Sequence, residues 1–412
     1  MNKFEKVSLF PADILLPKDA DMNKWSVVAC DQYTSQPEYW EDVKSTVGAD
    51  ASTYNLVLPE LYLNGNDVDE RIKSINANMQ KYVDEGIFAE YKDSVMYIER
   101  TLNNGKVRKG IVAAIDLENY KFEPGNTAMI RATEGTVLER IPPRVKVREN
   151  ACLELPHVML LIDDADDMVF GSIDSAKLEK VYDFELMQNS GHLCGWKIDN
   201  CDELADKLAE LYEKNYAQNN TMLYAVGDGN HSLATAKACW ENVKKSGVDT
   251  ANHPARYALV EIENIHDSAL DFEPIHRIII NCDAEDLLKE LDAYCGVSET
   301  GDDNAQQISS VVKGKATKLY VKNPTSNLAV GTLQNFLDKY IADKGCEVDY
   351  IHGDDVVADL SMQDNSIGFL LPSMEKSDLF KTIITDGILP RKTFSMGEAC
   401  DKRFYVEARK IK

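Results

Sequence analysis

The sequence holds no Cys-x-x-Cys pair, no long apolar run and no surplus of basic residues. Its nine cysteines are odd in number and scattered. Zinc clusters and disulfide frameworks need paired, regularly spaced cysteines, so neither is expected; reduced thiols in a cytoplasmic protein suit this spacing better. The longest apolar runs, such as Val158–Ile162, are strand-sized, far below the ~20 residues a helix needs to cross a bilayer. The first ten residues carry Lys3, Glu5 and Lys6 without an apolar stretch, so no signal peptide is expected. Lys and Arg number 45 against 69 Asp and Glu, a formal net charge of −24. A surface of that sign repels phosphate backbones and anionic lipid, so neither nucleic acid nor a membrane is the expected partner. A local basic pocket for one small phosphate is compatible with it.

Several standard catalytic motifs are missing too. Gly314-Lys315 lacks the earlier glycine and the Ser/Thr of a Walker A loop. Gly227-x-Gly229-x-x-Ser232 has a serine where the third glycine of a dinucleotide fingerprint belongs. Neither a Gly-x-Ser-x-Gly elbow nor a His-Glu-x-x-His pair occurs.

What is present alternates short β-type runs with amphipathic helices. This predicts an α/β or α+β fold of mixed sheets with flanking helices. Ser35, Pro37 and Glu38 read as a helix start, and a second helix runs from about Asp67 to Gly86. Val95–Leu102 and Val107–Ile115 flank Asn103-Asn104-Gly105, a hairpin signal. Asn200-Cys201-Asp202-Glu203 opens a helix with Leu204, Leu208 and Leu211 on one face. Helix and strand alternate again beyond residue 280. A composition shift and a motif edge suggest three regions: 1–150, a core at 151–280, and 281–412.

The segment around Gly227 is the most informative. Met222–Val226 is a compact apolar strand, Gly227-Asp228-Gly229-Asn230 a tight turn, and Leu233, Ala236, Trp240 and Val243 recur at helical spacing. Such a strand-turn-helix places free backbone N–H groups at a sheet edge, where they suit an anion. Gly227 and Gly229 allow close approach of a phosphate. Asp228 fits a Mg²⁺ ligand or a base. His231 can donate a hydrogen bond to the anion or move a proton near neutral pH. The bland alternative is that Asp228 or Asn230 merely caps the helix while His231 fills its first turn.

These residues also carry a resemblance. Asp228-Gly229-Asn230-His231-Ser232 is similar to the Asp-Gly-His-His-Arg signature of the bacterial domain-of-unknown-function 1015 family. Arg131–Thr136 with Glu139-Arg140, Pro274-Ile275-His276-Arg277 and Leu389-Pro390-Arg391-Lys392-Thr393-Phe394 resemble further blocks of that family in order and spacing. The resemblance implies a ParB/sulfiredoxin-like core with additional α/β elements. That superfamily includes nucleotide-binding proteins and a free serine kinase, which implies phosphate chemistry by analogy. Ser232 departs from the signature arginine and Asn230 from its first histidine. Loss of a bidentate arginine weakens the expected phosphate grip, or moves the cationic role to Arg277, Arg140 or Lys392.

The expected site thus comprises Asp228, His231 and Glu134 as catalytic groups. Gly227, Gly229, Asn230, Ser232, Arg131, Arg140, His276, Arg277 and Lys392 are the expected ligand-binding set, with Asp228 as metal ligand. Each has a plain alternative: surface ion pairing for the arginines, solvation for Lys392. The expected function is a Mg²⁺-assisted phosphotransferase or phosphohydrolase acting on a small phosphorylated metabolite, serine or phosphoserine by analogy, with ATP or ADP as nucleotide. A non-catalytic nucleotide- or metabolite-binding regulator is the competing reading.

Overall fold

The computed structural model describes residues 2–216, 221–302, 305–390 and 392–412. The fold is mixed α/β and divides into two units: Met1–Leu270 with Glu398–Lys412, and Asp271–Gly397. Strands from both sides of residue 150 share one sheet, so the chain does not divide there; one division falls between 270 and 271. Arg391 lies outside the described residues.

The first unit is built on an eleven-stranded sheet. Its middle runs through the hairpin Phe88–Thr101 and Val107–Asp116, then Tyr257–Asn264, Met159–Ile162 and Tyr224–Asp228. The pairing is antiparallel except where Tyr257–Asn264 meets Met159–Ile162 and where Ile130–Arg131 meets Tyr224–Asp228 on one side and Tyr120–Lys121 on the other. Alternation of period two fills both faces. Val95, Tyr97, Ile111, Ala113, Leu160 and Val260 point to one core, and Met96, Ile98, Val112, Ala114 and Leu259 to the other. A sheet apolar on both faces must be covered on both.

Helices supply the cover. Cys201–Tyr216 buries Leu204, Leu208 and Leu211 on the first face, beside Leu233, Ala236 and Trp240 of Asn230–Lys245. Each fully buried leucine contributes about 1.5–3 kcal/mol. Pro37–Val47 covers the opposite face through Trp40, Val43 and Val47. Its N-cap is Gln36 rather than Ser35, and no side chain caps it. The C-terminal segment returns to this unit: Phe404 and Tyr405 pair with Val28 and Val27, and Arg409 and Lys410 with Glu154 and Leu153.

The second unit is a six-stranded antiparallel sheet with helices Ala284–Cys295, Ala329–Lys344 and Lys376–Asp386. Helix and strand alternate beyond residue 280 as the sequence suggested, through Ala284–Cys295, Lys315–Val321, Ala329–Lys344 and Ser366–Leu370. None of the nine cysteines is in a disulfide. Among the described residues, no helix is long and apolar enough to cross a membrane.

Candidate active site

Tyr224–Asp228 pairs with Met159–Ile162 and carries a register shift between Val226 and Asp228. The strand stops because Gly229 takes φ 80°. A Cβ there would lie 3.0 Å from Cα of Val158, so the left-handed angle and the close backbone approach both require glycine. The helix then starts at Asn230, and its first closing bond runs from Leu233 N–H to the Gly229 carbonyl at 3.0 Å. The amides of Asn230, His231 and Ser232 therefore precede any intrahelical acceptor.

Neither Asp228 nor Asn230 caps this helix, contrary to the bland alternative. No side chain caps it at all. Asn230 reaches instead to Thr133, accepting from its amide and donating to its hydroxyl, each at 3.2 Å. The Thr133 hydroxyl donates in turn to the Val226 carbonyl at 2.6 Å. Asn230 thus ties the loop after Ile130–Arg131 to the turn.

Asp228 accepts the Gly229 amide on Oδ1 at 2.8 Å, and its Oδ2 lies 3.3 Å from Lys402 Nζ. Burial works to raise its pKa, but Lys402, His157 and the Gly229 amide outweigh burial and hold it below the ordinary value. The carboxylate is ionised. A resident Mg²⁺ does not fit this arrangement. That ion takes oxygen ligands, usually one or two carboxylates plus phosphates and waters; here one oxygen holds an amide and the other faces an ammonium. Lys402 already places a positive charge beside this carboxylate.

His231 Nε2 accepts the Val137 amide at 3.3 Å. Burial first, then Arg144 and Arg140, push its pKa down to about 4. The ring is then neutral at pH 7, a form with one N–H to donate and no imidazolium proton to give up. Arg140 thus contributes to the field acting on His231. Glu134 sits half-buried on the loop that Asn230 holds.

Ser232 lies on the helix's first turn with Oγ 2.7 Å from His157 Nε2. His157 Nδ1 is 2.6 Å from the Tyr405 hydroxyl, which accepts the Cys30 amide at 3.2 Å. These groups line a cavity of about 160 Å³, together with Leu56, Leu58, Met79 and Leu155.

Four expected ligand groups are engaged elsewhere. Arg131 donates to the Ala128 carbonyl at 2.8 Å and the Thr221 hydroxyl at 2.6 Å. Thr221 precedes the strand whose far end is Asp228, so this guanidinium is held at the end away from the turn. His276, Arg277 and Lys392 belong to the second unit. His276 accepts the Leu371 amide on Nδ1 at 3.1 Å and faces Asp354 at 2.8 Å on Nε2. Arg277 is fully buried, bonded to the Ile275 carbonyl, the Lys392 carbonyl at 3.0 Å and Gln334 at 3.2 Å. It is a structural tie rather than a hand held out to phosphate. Lys392 contributes its backbone carbonyl to that tie, from a residue at φ 58°.

A family model described as "Protein of unknown function (DUF1015)" matches residues 11–340. The chain belongs to this family. No curated protein matches it. Among solved structures, this DUF1015 chain is similar to a conserved hypothetical protein from Pyrococcus furiosus at 12% identity, covering 73% of this chain and 95% of that one, with TM-score 0.36. A mutant free serine kinase in complex with AMP aligns at 11% identity over 74% of this chain and 92% of that one, with TM-score 0.39. Likenesses this distant say nothing of chemistry.

In this DUF1015 member the sequence signals missed Lys402, His157 and Tyr405. Lys402 stands in Asp401-Lys402-Arg403 near the C-terminus, and nothing local marks it. His157 had one usable signal: it follows Pro156 immediately before a strand, where a polar ring breaks an apolar run.

Proposed function

We propose that this DUF1015 protein is a phosphotransferase or phosphohydrolase acting on a small metabolite, with its phosphate held at the start of the helix Asn230–Lys245. The observation that supports it is the Asp228–Lys402 pair, an ionised carboxylate and an ammonium 3.3 Å apart next to three amides with no intrahelical acceptor. In this reading the amides of Asn230, His231 and Ser232 receive phosphate oxygens, and Lys402 with Arg140 neutralises their charge. Asp228 takes the proton of the attacking hydroxyl or water. Glu134, on the loop tied to Asn230, is the second carboxylate available for that proton. The phosphoryl donor is a nucleotide such as ATP or ADP, and serine or phosphoserine is the first substrate pair to try. Magnesium arriving on the nucleotide belongs to the substrate, and no step needs a resident ion.

A non-catalytic metabolite-binding role is the second reading. It is favoured by the engagement of both Asp228 oxygens, since a base must first give up one partner. Phosphorus NMR of the protein with MgATP or MgADP and serine or phosphoserine, paired with calorimetry, separates the two. Turnover that Asp228→Asn abolishes while binding persists supports the enzyme. Binding without product supports the regulator, and absence of both sinks the phosphate reading.

A further inference from the structure

Ser232, His157 and Tyr405 form a continuous chain of short hydrogen bonds at the wall of a cavity lined by leucines and Met79 and by the ion pairs Glu60–Arg144 and Glu154–Arg148. Their separations are 2.7 Å and 2.6 Å. A nucleophile in contact with a base that is itself oriented by a third group is the arrangement covalent catalysis needs. Three further features set it apart from an ordinary buried Ser–His bond. The serine occupies the first turn of a helix whose leading amides have no intrahelical acceptor. The histidine is 9% exposed and the tyrosine 2%, so the ring is clamped rather than free. The chain also lines a cavity whose wall includes Leu56, Leu58, Met79, Leu153 and Leu155.

We propose that Ser232 is the nucleophile of a second activity, hydrolysis of short-chain acyl esters, with His157 as general base and Tyr405 as its positioning residue. This does not rest on the phosphate reading. With the Nδ1–H of His157 donating a hydrogen bond to the Tyr405 oxygen, Nε2 keeps its lone pair and accepts from the Ser232 hydroxyl. On attack, the Ser232 proton passes to Nε2 while Oγ bonds to the acyl carbon. The bond from that carbon to the leaving alkoxide breaks, and His157 returns its proton to the alkoxide. Water then attacks the acyl-serine, gives its proton to Nε2, and the Ser232 oxygen departs and is reprotonated. The sum is ester plus water giving acid plus alcohol. The first-turn amides of the same helix are the donors available to the oxyanion.

Cavity size sets the substrate class. At about 160 Å³, it matches the ~150 Å³ apolar cavity that admits one benzene. An acyl chain of roughly four to six carbons is of that size. Cys30, on the same wall, is excluded as nucleophile, because burial pushes its thiol up to about 12 and the thiolate is the reactive form.

The test uses the full chain. It is treated with a fluorophosphonate, digested, and the adduct mapped by mass spectrometry; p-nitrophenyl acetate, butyrate, hexanoate and dodecanoate are assayed in parallel. The expected result is an adduct on Ser232, with butyrate or hexanoate hydrolysed at least tenfold faster than dodecanoate. Ser232→Ala should remove both adduct and turnover, and circular dichroism should be unchanged because only one hydroxyl is lost. Tyr405→Phe should lower kcat with little change in KM and alter the pH profile, which a purely structural tyrosine would not do. Labelling of the wild-type chain that spares Ser232, or ester turnover equal in wild type and Ser232→Ala, overturns the proposal.

Discussion

Lys402 Nζ lies 3.3 Å from Oδ2 of Asp228, joining the turn to a segment close to the C-terminus. The ammonium is 12% exposed and the carboxylate 24%. The carboxylate therefore depends on the ammonium for its charge more than in a surface pair. Anything that displaces the tail acts directly on the turn.

Lys402→Met should raise the Asp228 pKa, since the largest influence opposing burial is removed. The folded carboxyl is depressed, so its contribution to stability is present above the unfolded pKa and is lost as pH falls through the folded one. The variant should lose about 1–2 kcal/mol at pH 7, between the ranges for exposed and buried pairs, with less difference from wild type in strong acid. Urea melts at pH 7 and pH 3, with NMR titration of the Asp228 carboxyl, check this. An unchanged titration would show that Lys402 does not set the charge.

His231 should stay neutral until about pH 4. Its folded pKa lies below the ordinary value, so between about 6.5 and 4 the unfolded chain takes up the proton and the folded chain does not. The sign follows: this histidine makes stability fall as pH falls across that window. His231→Gln should flatten that part of the stability curve. Proton NMR of the ring reads the same group directly, and a midpoint near 6.5 would contradict the burial argument.

Arg403 should hold the returning tail. Its guanidinium, 2% exposed, contacts Glu261 at 2.8 Å and Glu407. Arg403→Met leaves two buried carboxylates without their partner, and breaking such pairs typically costs about 3–5 kcal/mol. Denaturant melts give the magnitude. Hydrogen exchange at residues 402–406 should accelerate together with exchange at Cys30, whose amide donates to Tyr405.

Much of the local structure was legible. The hairpin at Asn103-Asn104-Gly105 and the strand-turn-helix around Gly229 both follow from turn chemistry flanked by apolar runs. The helix Cys201–Tyr216 follows from leucine spacing. Arg277 was the instructive misreading. Its expected place was a ligand site or a surface ion pair, yet the guanidinium is buried in the second unit and bound to Gln334 and two carbonyls. Charge type was visible in the sequence, but burial was not, because burial depends on which strands flank the residue.

The sequence by itself determined the turn: Gly229 at a left-handed angle, Asp228 before it and an amphipathic helix after it, all encoded within a few residues. Only the tertiary structure decided its neighbours. Lys402 and Tyr405 arrive through the pairing of Phe404 and Tyr405 with Val28 and Val27, and His157 precedes the strand that lies beside Tyr224–Asp228. Local conformation follows from short-range sterics and hydrogen bonding, whereas side chains far apart in sequence meet only when sheet order and a returning tail place them together.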